Sequence, residues 1–120
     1  MDLQGAREAA KPIHWCGSSL DDLRAFPESV RARAGKELRK VQFGLDPTDV
    51  KRVSTWGAGV IEIRLDEDAN TWRVACVAKF EEAVYVLHSF SKKERKTRLS
   101  DAWVIRQRYH EIVNQRRSSR

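Results

Sequence analysis

Side chains that could bind a phosphate group and transfer a proton are concentrated between residues 71 and 96. Two apolar runs carry Arg73 and His88, and a cationic cluster follows the second run directly: Lys92, Lys93, Arg95 and Lys96. A guanidinium matches the geometry of phosphate oxygens, and an imidazole changes charge near neutral pH. This segment is therefore the first candidate for a functional site.

The charge distribution supports the same region. The 120-residue chain has a formal net charge of +6, and residues 91–120 hold ten Lys or Arg against Glu94, Asp101 and Glu111. Such asymmetry is typical of a surface that binds a polyanion, because each neutralised phosphate releases counterions. A solvated basic tail would give the same count.

The two apolar runs, residues 72–80 and 83–90, are predicted to form a β-hairpin with Glu81 and Glu82 as a two-residue loop. The loop sets the register, since paired positions follow from counting back along both strands. The pairs are Arg73 with Phe90, Ala75 with His88, Val77 with Val86, and Lys79 with Val84.

This register assigns the side chains to two faces, because directly paired residues share a face. One face carries the candidate residues Arg73, Lys79, His88 and Phe90, and we expect it to be wet. The other carries Trp72, Val74, Cys76, Ala78, Tyr85 and Leu87. A loop of three residues would move His88 to the opposite face.

Residues 11–44 are predicted to form a short strand and two helices. The strand covers residues 13–16, and a first helix begins near Ser19. A second helix follows Pro27 and ends at Gly44. Its apolar stripe consists of Val30, Ala34, Leu38 and Val41. Since this stripe must be buried, we expect the helical pair to pack on a sheet.

The remaining elements are less regular. Residues 46–59 contain Pro47, Gly57 and Gly59 without a clear period and are interpreted as a loop. Residues 60–65 alternate apolar and charged side chains, which predicts a strand that carries Glu62 and Arg64 on one face. The acidic residues 66–70 are predicted to turn into the next strand. A last helix begins near Ser100.

The predicted fold class is α+β: a single domain with one curved, mainly antiparallel sheet, an N-terminal helical hairpin on one face and a C-terminal helix. We expect a flexible segment over residues 1–10, the domain over 11–115 and a basic disordered tail over 116–120. Cys16 and Cys76 lack metal-ligand spacing, so reduced thiols in the cytoplasm are expected, with no metal, no cofactor and no membrane span.

Three blocks of the sequence resemble the RelE/ParE superfamily of bacterial toxins. They are Gly59–Arg64, Trp72–Val74 and Val86–Lys93, followed by a terminal helix that contains Ala102. The similarity covers about residues 11–113 and is greatest to the HigB-like, phage-derived branch. The resemblance implies the toxin of a type II toxin–antitoxin system, a ribosome-dependent endoribonuclease that cuts messenger RNA without a metal and so inhibits translation.

The resemblance also implies roles for individual residues. Arg73 corresponds to the strand arginine that holds the scissile phosphate, while Arg64 and Lys93 occupy positions where relatives often carry a basic residue. Some relatives stack a tyrosine of the terminal helix on a base, but Leu99 occupies that region here. Phe90, Trp103 and Tyr109 remain as candidates for stacking.

The residue types fit such a reaction independently. Cleavage without a metal needs a base for the 2′-hydroxyl, cations that stabilise the phosphorane and an acid for the leaving oxygen. Glu62 or His88 could act as the base, and Arg73 with Arg64 could clamp the phosphate. Lys92 or Lys93 could act as stabiliser or acid. Further contacts to RNA are assigned to Lys79, Arg95, Lys96 and Phe90.

The implied partners are a cognate antitoxin, of the HigA-like helix-turn-helix type in this branch, and messenger RNA in the A site of the 70S ribosome. Operator DNA would be reached only through the antitoxin. Two other functions are compatible with the sequence. One is a ParE-like toxin that inhibits DNA gyrase and has no nuclease site, and the other is a non-catalytic nucleic-acid-binding domain.

Overall fold

The computed structural model describes residues 9–93 and 95–119 of the chain. Five strands make one sheet: β1 (Ile13–Trp15), β2 (Val50–Arg52), β3 (Val60–Glu67), β4 (Asn70–Val77) and β5 (Val84–Ser91). The sheet order is β1-β5-β4-β3-β2, in which β1 is parallel to β5 and all other neighbours are antiparallel. Three helices complete the domain: α1 (Ser19–Arg24), α2 (Glu28–Gln42) and α3 (Leu99–Ser118). The predicted α+β fold class is confirmed.

The N-terminal helical pair covers one face of the sheet, as predicted. The apolar stripe of α2 is buried against side chains of β3 and β4 that include Ile63, Leu65, Val74 and Cys76. A fully buried aliphatic side chain contributes about 1.5 to 3 kcal/mol. This core therefore fixes the two strands whose opposite face carries Glu62, Arg64 and Arg73.

Helix α3 covers part of that opposite face. Ala102, Ile105 and Ile112 are buried against Leu87 and Phe90 of β5, among others. The contacts of α3 are mainly with β5 and with a short 3-10 turn at Ser54–Trp56. The end of the face near the β3–β4 turn is therefore left open.

The interpretation of residues 46–59 as a loop is wrong for β2. Val50–Arg52 pairs antiparallel with β3, so that Lys51 lies opposite Glu62. A strand of three residues offers too few positions for an alternating pattern to be recognised. β2 thus places a further cation, Lys51, beside Glu62.

The loop of the β4–β5 hairpin is longer than predicted. β4 ends at Val77 and β5 begins at Val84, so residues 78–83 connect the strands and the predicted pairing of Lys79 with Val84 is wrong. Val77 pairs with Tyr85 rather than with Val86.

A β-bulge then restores the predicted register. Cys76 pairs with Val86 and Ala75 with His88, so Leu87 is the additional residue of β5. Arg73 consequently pairs with Phe90, and Arg73 and His88 share a face, as predicted. The predicted faces of Tyr85 and Leu87 are wrong, because both side chains pack on the face of the sheet that α3 covers.

Both cysteines are buried and free. Burial raises the pKa of Cys16 to about 11, against an opposing effect of the Arg108 charge, and raises the pKa of Cys76 to about 12. Both thiols are therefore protonated near neutral pH and are poor nucleophiles.

The ends of the domain lie at the limits of the described residues. The predicted flexible segment lies mostly outside them, while α3 continues to Ser118 and so includes residues 116–118 of the segment for which we expect a tail. None of the helices in the described part of the chain has the length and apolar character required to cross a membrane.

Candidate functional site

A cationic cavity opens at the β3–β4 end of the sheet. Its volume is about 790 Å³, and its lining includes Arg64, Arg73, Lys92, Lys93 and Arg95. We call these five residues the cationic pocket. All five are candidates from the sequence, and the structure brings them together from β3, β4 and the segment that follows β5.

Strand pairing positions these cations. Arg64 lies directly opposite Arg73 on neighbouring strands. The pairing of β4 with β5 continues past the end of β5, because the Lys92 amide donates to the Thr71 carbonyl over 2.9 Å and the Thr71 hydroxyl donates to the Lys92 carbonyl. The backbone of Lys92 is therefore held next to the start of β4.

The expectation of a wet face is wrong: only 5% of Arg73 is exposed, and His88 and Phe90 are buried as well. Arg73 Nη1 donates to Asp66 Oδ1 over 2.7 Å and to the Trp72 carbonyl over 2.9 Å, and Arg73 Nε lies 3.7 Å from Glu62 Oε1. Like charges directly opposite in a sheet destabilise it. The acids of β3 offset the Arg64–Arg73 pair.

Glu62 is the central counter-ion of the pocket and is only 2% exposed. The same oxygen, Oε1, lies 3.9 Å from Arg64 Nε and 3.7 Å from Arg73 Nε. Both nitrogens are buried and lack a hydrogen-bond acceptor. Glu62 thus holds two guanidinium groups by charge, and it does not itself line the cavity.

The pKa of Lys92 is lowered from that of an ordinary lysine. Desolvation is the main cause, and the charges of Arg73, Arg64 and Lys51 act in the same direction while Glu62 opposes them. A lysine that loses its proton more readily is a better general acid near neutral pH. Lys51 is not among the residues predicted from the sequence, because the pattern of residues 46–59 does not reveal β2.

His88 lies on the Arg73 face but outside the cationic pocket. Its Nε2 is 2.7 Å from Asp101 Oδ1, and its ring stacks on Phe90 with centroids 5.0 Å apart. Arg108 Nη1 lies 3.5 Å from its Nδ1 and donates to the Leu87 carbonyl over 2.8 Å. The imidazole thus joins β5 to α3, and it lines a separate depression beside α1.

The other RNA-binding candidates are dispersed. Lys79 lies in the loop that follows β4, beyond the end of that strand remote from the β3–β4 turn, with its ammonium 5.1 Å from the centroid of the Phe80 ring. Lys96 is exposed and does not line the cavity. Phe90 is buried beneath α3, where it stacks on His88.

Among the candidates for base stacking, exposure separates Trp103 from the others. Trp103 is 61% exposed, and Leu99, one turn earlier in α3, is 87% exposed. Phe90 is 7% exposed, and the hydroxyl of Tyr109 donates to the Ala58 carbonyl over 2.9 Å. Trp103 is thus the aromatic side chain of this set that a base could reach.

Within residues 9–93 and 95–119, no cluster of three or more His, Cys, Asp or Glu side chains has the arrangement of a metal site. The cationic pocket instead offers five positive side chains around one cavity. Such a set of donors fits an anion, above all a phosphate.

Comparison with known proteins identifies the family. No curated protein matches the chain significantly. The family model described as phage-derived protein Gp49-like (DUF891) matches residues 21–110, which are three quarters of the 120 residues and include the whole cationic pocket. This family is toxin-like and of the RelE/ParE type. The chain therefore belongs to the phage-derived Gp49-like family.

Proposed function

We propose that this protein is the toxin of a type II toxin–antitoxin system, of the HigB-like branch, and that it cleaves messenger RNA in the ribosomal A site. Membership of a toxin-like family supports the general class. The observation that carries the nuclease proposal is the convergence of five cations on one open cavity.

The proposed chemistry assigns binding and charge stabilisation to the pocket. Arg64 and Arg73 hold the scissile phosphate, and Lys93 and Arg95 neutralise the neighbouring backbone. Charge that develops on the phosphorane is then stabilised by donors already in place, which avoids reorganisation during the reaction. Such donors are each worth about 10²- to 10³-fold in rate.

Lys92 is the proposed proton donor to the leaving 5′-oxygen. Its lowered pKa and its position beside Arg73 support this role. Lys93 lies next to it in the same cavity but is exposed. We therefore assign acid catalysis to Lys92 and phosphate binding to Lys93.

The geometry favours structural roles for the two base candidates. Glu62 is buried between two guanidinium groups, and His88 is engaged by Asp101 and stacked on Phe90. We propose that Glu62 positions Arg64 and Arg73 and that His88 fastens α3 to the sheet. With both residues in structural roles, water in the open cationic pocket accepts the 2′-hydroxyl proton.

The proposed partners are the 70S ribosome with its messenger RNA and a cognate antitoxin of the HigA-like type, through which operator DNA is bound. An antitoxin that covers the cationic pocket would block the phosphate site directly. Trp103 is the proposed stacking residue for a base, and the cytoplasm is the proposed compartment.

Expression of the protein alone, followed by mapping of messenger RNA 5′ ends, tests the proposal. The test variant is Lys92→Gln/Lys93→Gln, which removes two pocket charges. The matched control is Lys36→Gln/Arg117→Gln, which removes two exposed charges that do not line the cavity. We expect growth arrest and codon-phased cuts with the wild type and the control, and neither with the pocket variant.

The other outcomes identify the alternatives. DNA damage without messenger RNA cleavage would indicate a gyrase-inhibiting toxin. Absence of both growth arrest and cleavage, with binding to nucleic acid retained, would indicate a non-catalytic binding domain.

A further inference from the structure

Arg73 forms an ion pair with Asp66 that is not needed to offset its buried charge. Asp66 Oδ1 lies 2.7 Å from Arg73 Nη1, yet 53% of the Asp66 side chain is exposed, against 6% for that of Arg73. Glu62 already supplies a buried counter-ion at 3.7 Å. Asp66 is therefore a second counter-ion of the same guanidinium, and it is accessible to solvent.

The hydrogen-bond donors of Arg73 show what this contact does. A guanidinium has five N–H groups: one on Nε and two on each Nη. Both hydrogens of Nη1 are used, one by Asp66 and one by the Trp72 carbonyl, while Nε is buried and faces Glu62. A two-pronged phosphate contact needs two adjacent nitrogens. Arg73 does not present such a pair while Asp66 holds Nη1.

We propose that Asp66 competes with the phosphate for Arg73, and that RNA binds in the cationic pocket by displacing the Asp66 carboxylate from Nη1. The inference rests on the proposed function, because it assumes that this pocket receives an RNA phosphate. Asp66 is thus a positioning residue that acts through Arg73 and sets the affinity of the pocket.

The surroundings make the exchange feasible. When Asp66 moves away, Glu62 still offsets the buried charge of Arg73. The Asp66 side chain is already more than half exposed, so water hydrates its carboxylate when it leaves Nη1. The incoming phosphodiester replaces one anion by another at Nη1.

Removal of the competing charge should strengthen binding. Asp66→Asn is expected to raise the affinity for RNA about two- to fivefold, because the ion pair that it removes has one solvent-exposed partner and contributes only a modest free energy. The matched control is Asp68→Asn, which changes the net charge by the same amount two residues away. Asp68 is exposed with a φ of 55°, a conformation that asparagine adopts as readily as aspartate.

The first experiment measures fluorescence anisotropy of a labelled 2′-O-methyl RNA nonamer, which lacks the nucleophilic hydroxyl, at fixed salt with the full chain. We expect tighter binding by Asp66→Asn than by both Asp68→Asn and the wild type. Equal affinities of the two variants, or weaker binding by Asp66→Asn, would overturn the inference.

A second experiment reads the displacement in the wild-type protein and does not depend on any variant at Asp66. Nuclear magnetic resonance of ¹³C-labelled aspartate carboxyl groups follows a titration with the same nonamer. We expect the Asp66 signal to shift as the RNA saturates the protein, with the Asp68 signal nearly unchanged. A fixed Asp66 signal at saturation would overturn the inference.

Failure of the underlying function gives a different result. If Lys92→Gln/Lys93→Gln binds the nonamer as well as the wild type does, the pocket is not the RNA site, and both the proposed function and the inference are rejected. If that variant binds weakly while Asp66→Asn equals Asp68→Asn, the RNA site stands and only the role of Asp66 is rejected.

Discussion

Arg73 carries the central charge of the cationic pocket from a buried position. Its charge is offset by Glu62 and Asp66, both on β3. Truncation of the side chain would leave Glu62 buried, with Arg64 as its remaining ion-pair partner within 4 Å among the described residues. Breaking a buried ion pair from one side destabilises a protein by about 3 to 5 kcal/mol. Charge-conserving substitutions are therefore the most informative ones at this position.

The first prediction concerns Arg73→Lys. The variant keeps a cation beside Glu62, so its free energy of unfolding should stay within about 1 kcal/mol of the wild-type value. It loses the two-pronged donor, and cleavage should slow by about 100-fold. Denaturant unfolding and the rate of messenger RNA cleavage measure the two effects. Full activity of a folded Arg73→Lys protein would refute the assigned role.

The second prediction concerns Lys92, whose lowered pKa means that the folded protein disfavours its charge. The folded state binds this proton less tightly than the unfolded chain does, so the charge costs stability below the lowered pKa. Lys92→Gln should therefore raise the melting temperature near neutral pH while it reduces cleavage. Lys36→Gln, on the exposed face of α2, should change neither. A lower melting temperature for Lys92→Gln would contradict the account.

At the scale of elements, periodic patterns predict the strands and helices well, whereas irregular positions escape prediction. The stripe of α2 and the alternation of β3 are periodic, so they can be recognised without tertiary information. The bulge at Leu87 cannot be recognised in this way, because one additional residue does not change the pattern of an apolar run. The loop is longer than predicted and shifts the strand pairing by one residue, and the bulge shifts it back. Arg73 therefore still pairs with Phe90.

The third prediction tests His88 as a connection between β5 and α3. His88→Gln removes the ring that contacts Asp101 and Phe90, and it should lower the free energy of unfolding by about 1 kcal/mol. Cleavage by the folded variant should remain near that of the wild type. Chemical denaturation and the cleavage assay separate the two properties. Loss of cleavage with unchanged stability would restore His88 as the candidate base.

The fourth prediction concerns the packing of α3 on the turn before β3. A Cβ at Gly57 would lie 2.6 Å from ring carbons of Tyr109, and its φ of 147° is strained for other residues. Gly57→Ala should destabilise the domain by about 1 to 3 kcal/mol. Gly35→Ala is the control, since a Cβ at this position of α2 would have no neighbouring atom within 4 Å. That change should stabilise the helix by about 0.5 to 1 kcal/mol. Equal melting temperatures of the two variants would contradict the packing.

At the scale of the whole molecule, the excess of positive charge in residues 91–120 correctly indicates part of the cationic pocket. It overstates the positive charge that is available to bind RNA. Three of the C-terminal arginines are engaged within the protein: Arg106 with the Thr55 carbonyl, Arg108 with the Leu87 carbonyl, and Arg116 with Glu82. The hydrogen bond from Arg116 lowers the pKa of Glu82 to about 2. Part of the positive charge of the C-terminal segment therefore holds α3 against the rest of the domain.

The site itself is only partly predictable because it joins distant segments. Strand pairing brings Arg64 and Arg73 beside Lys92 and Lys93, and the residue types at all four positions make them candidates. The burial of Arg73, its contact with Asp66 and the approach of Lys51 depend on side-chain packing and on a strand of three residues. No spacing within one segment of the sequence encodes those features.

The most direct test of the central claim is cleavage of messenger RNA in a translation system rebuilt from purified ribosomes. Primer extension would locate cuts made by the purified protein. We expect the wild type and Lys36→Gln/Arg117→Gln to cut within the A-site codon, and Lys92→Gln/Lys93→Gln to cut at least about 100-fold more slowly. An intact messenger with the wild type, or undiminished cutting by the pocket variant, would contradict the account.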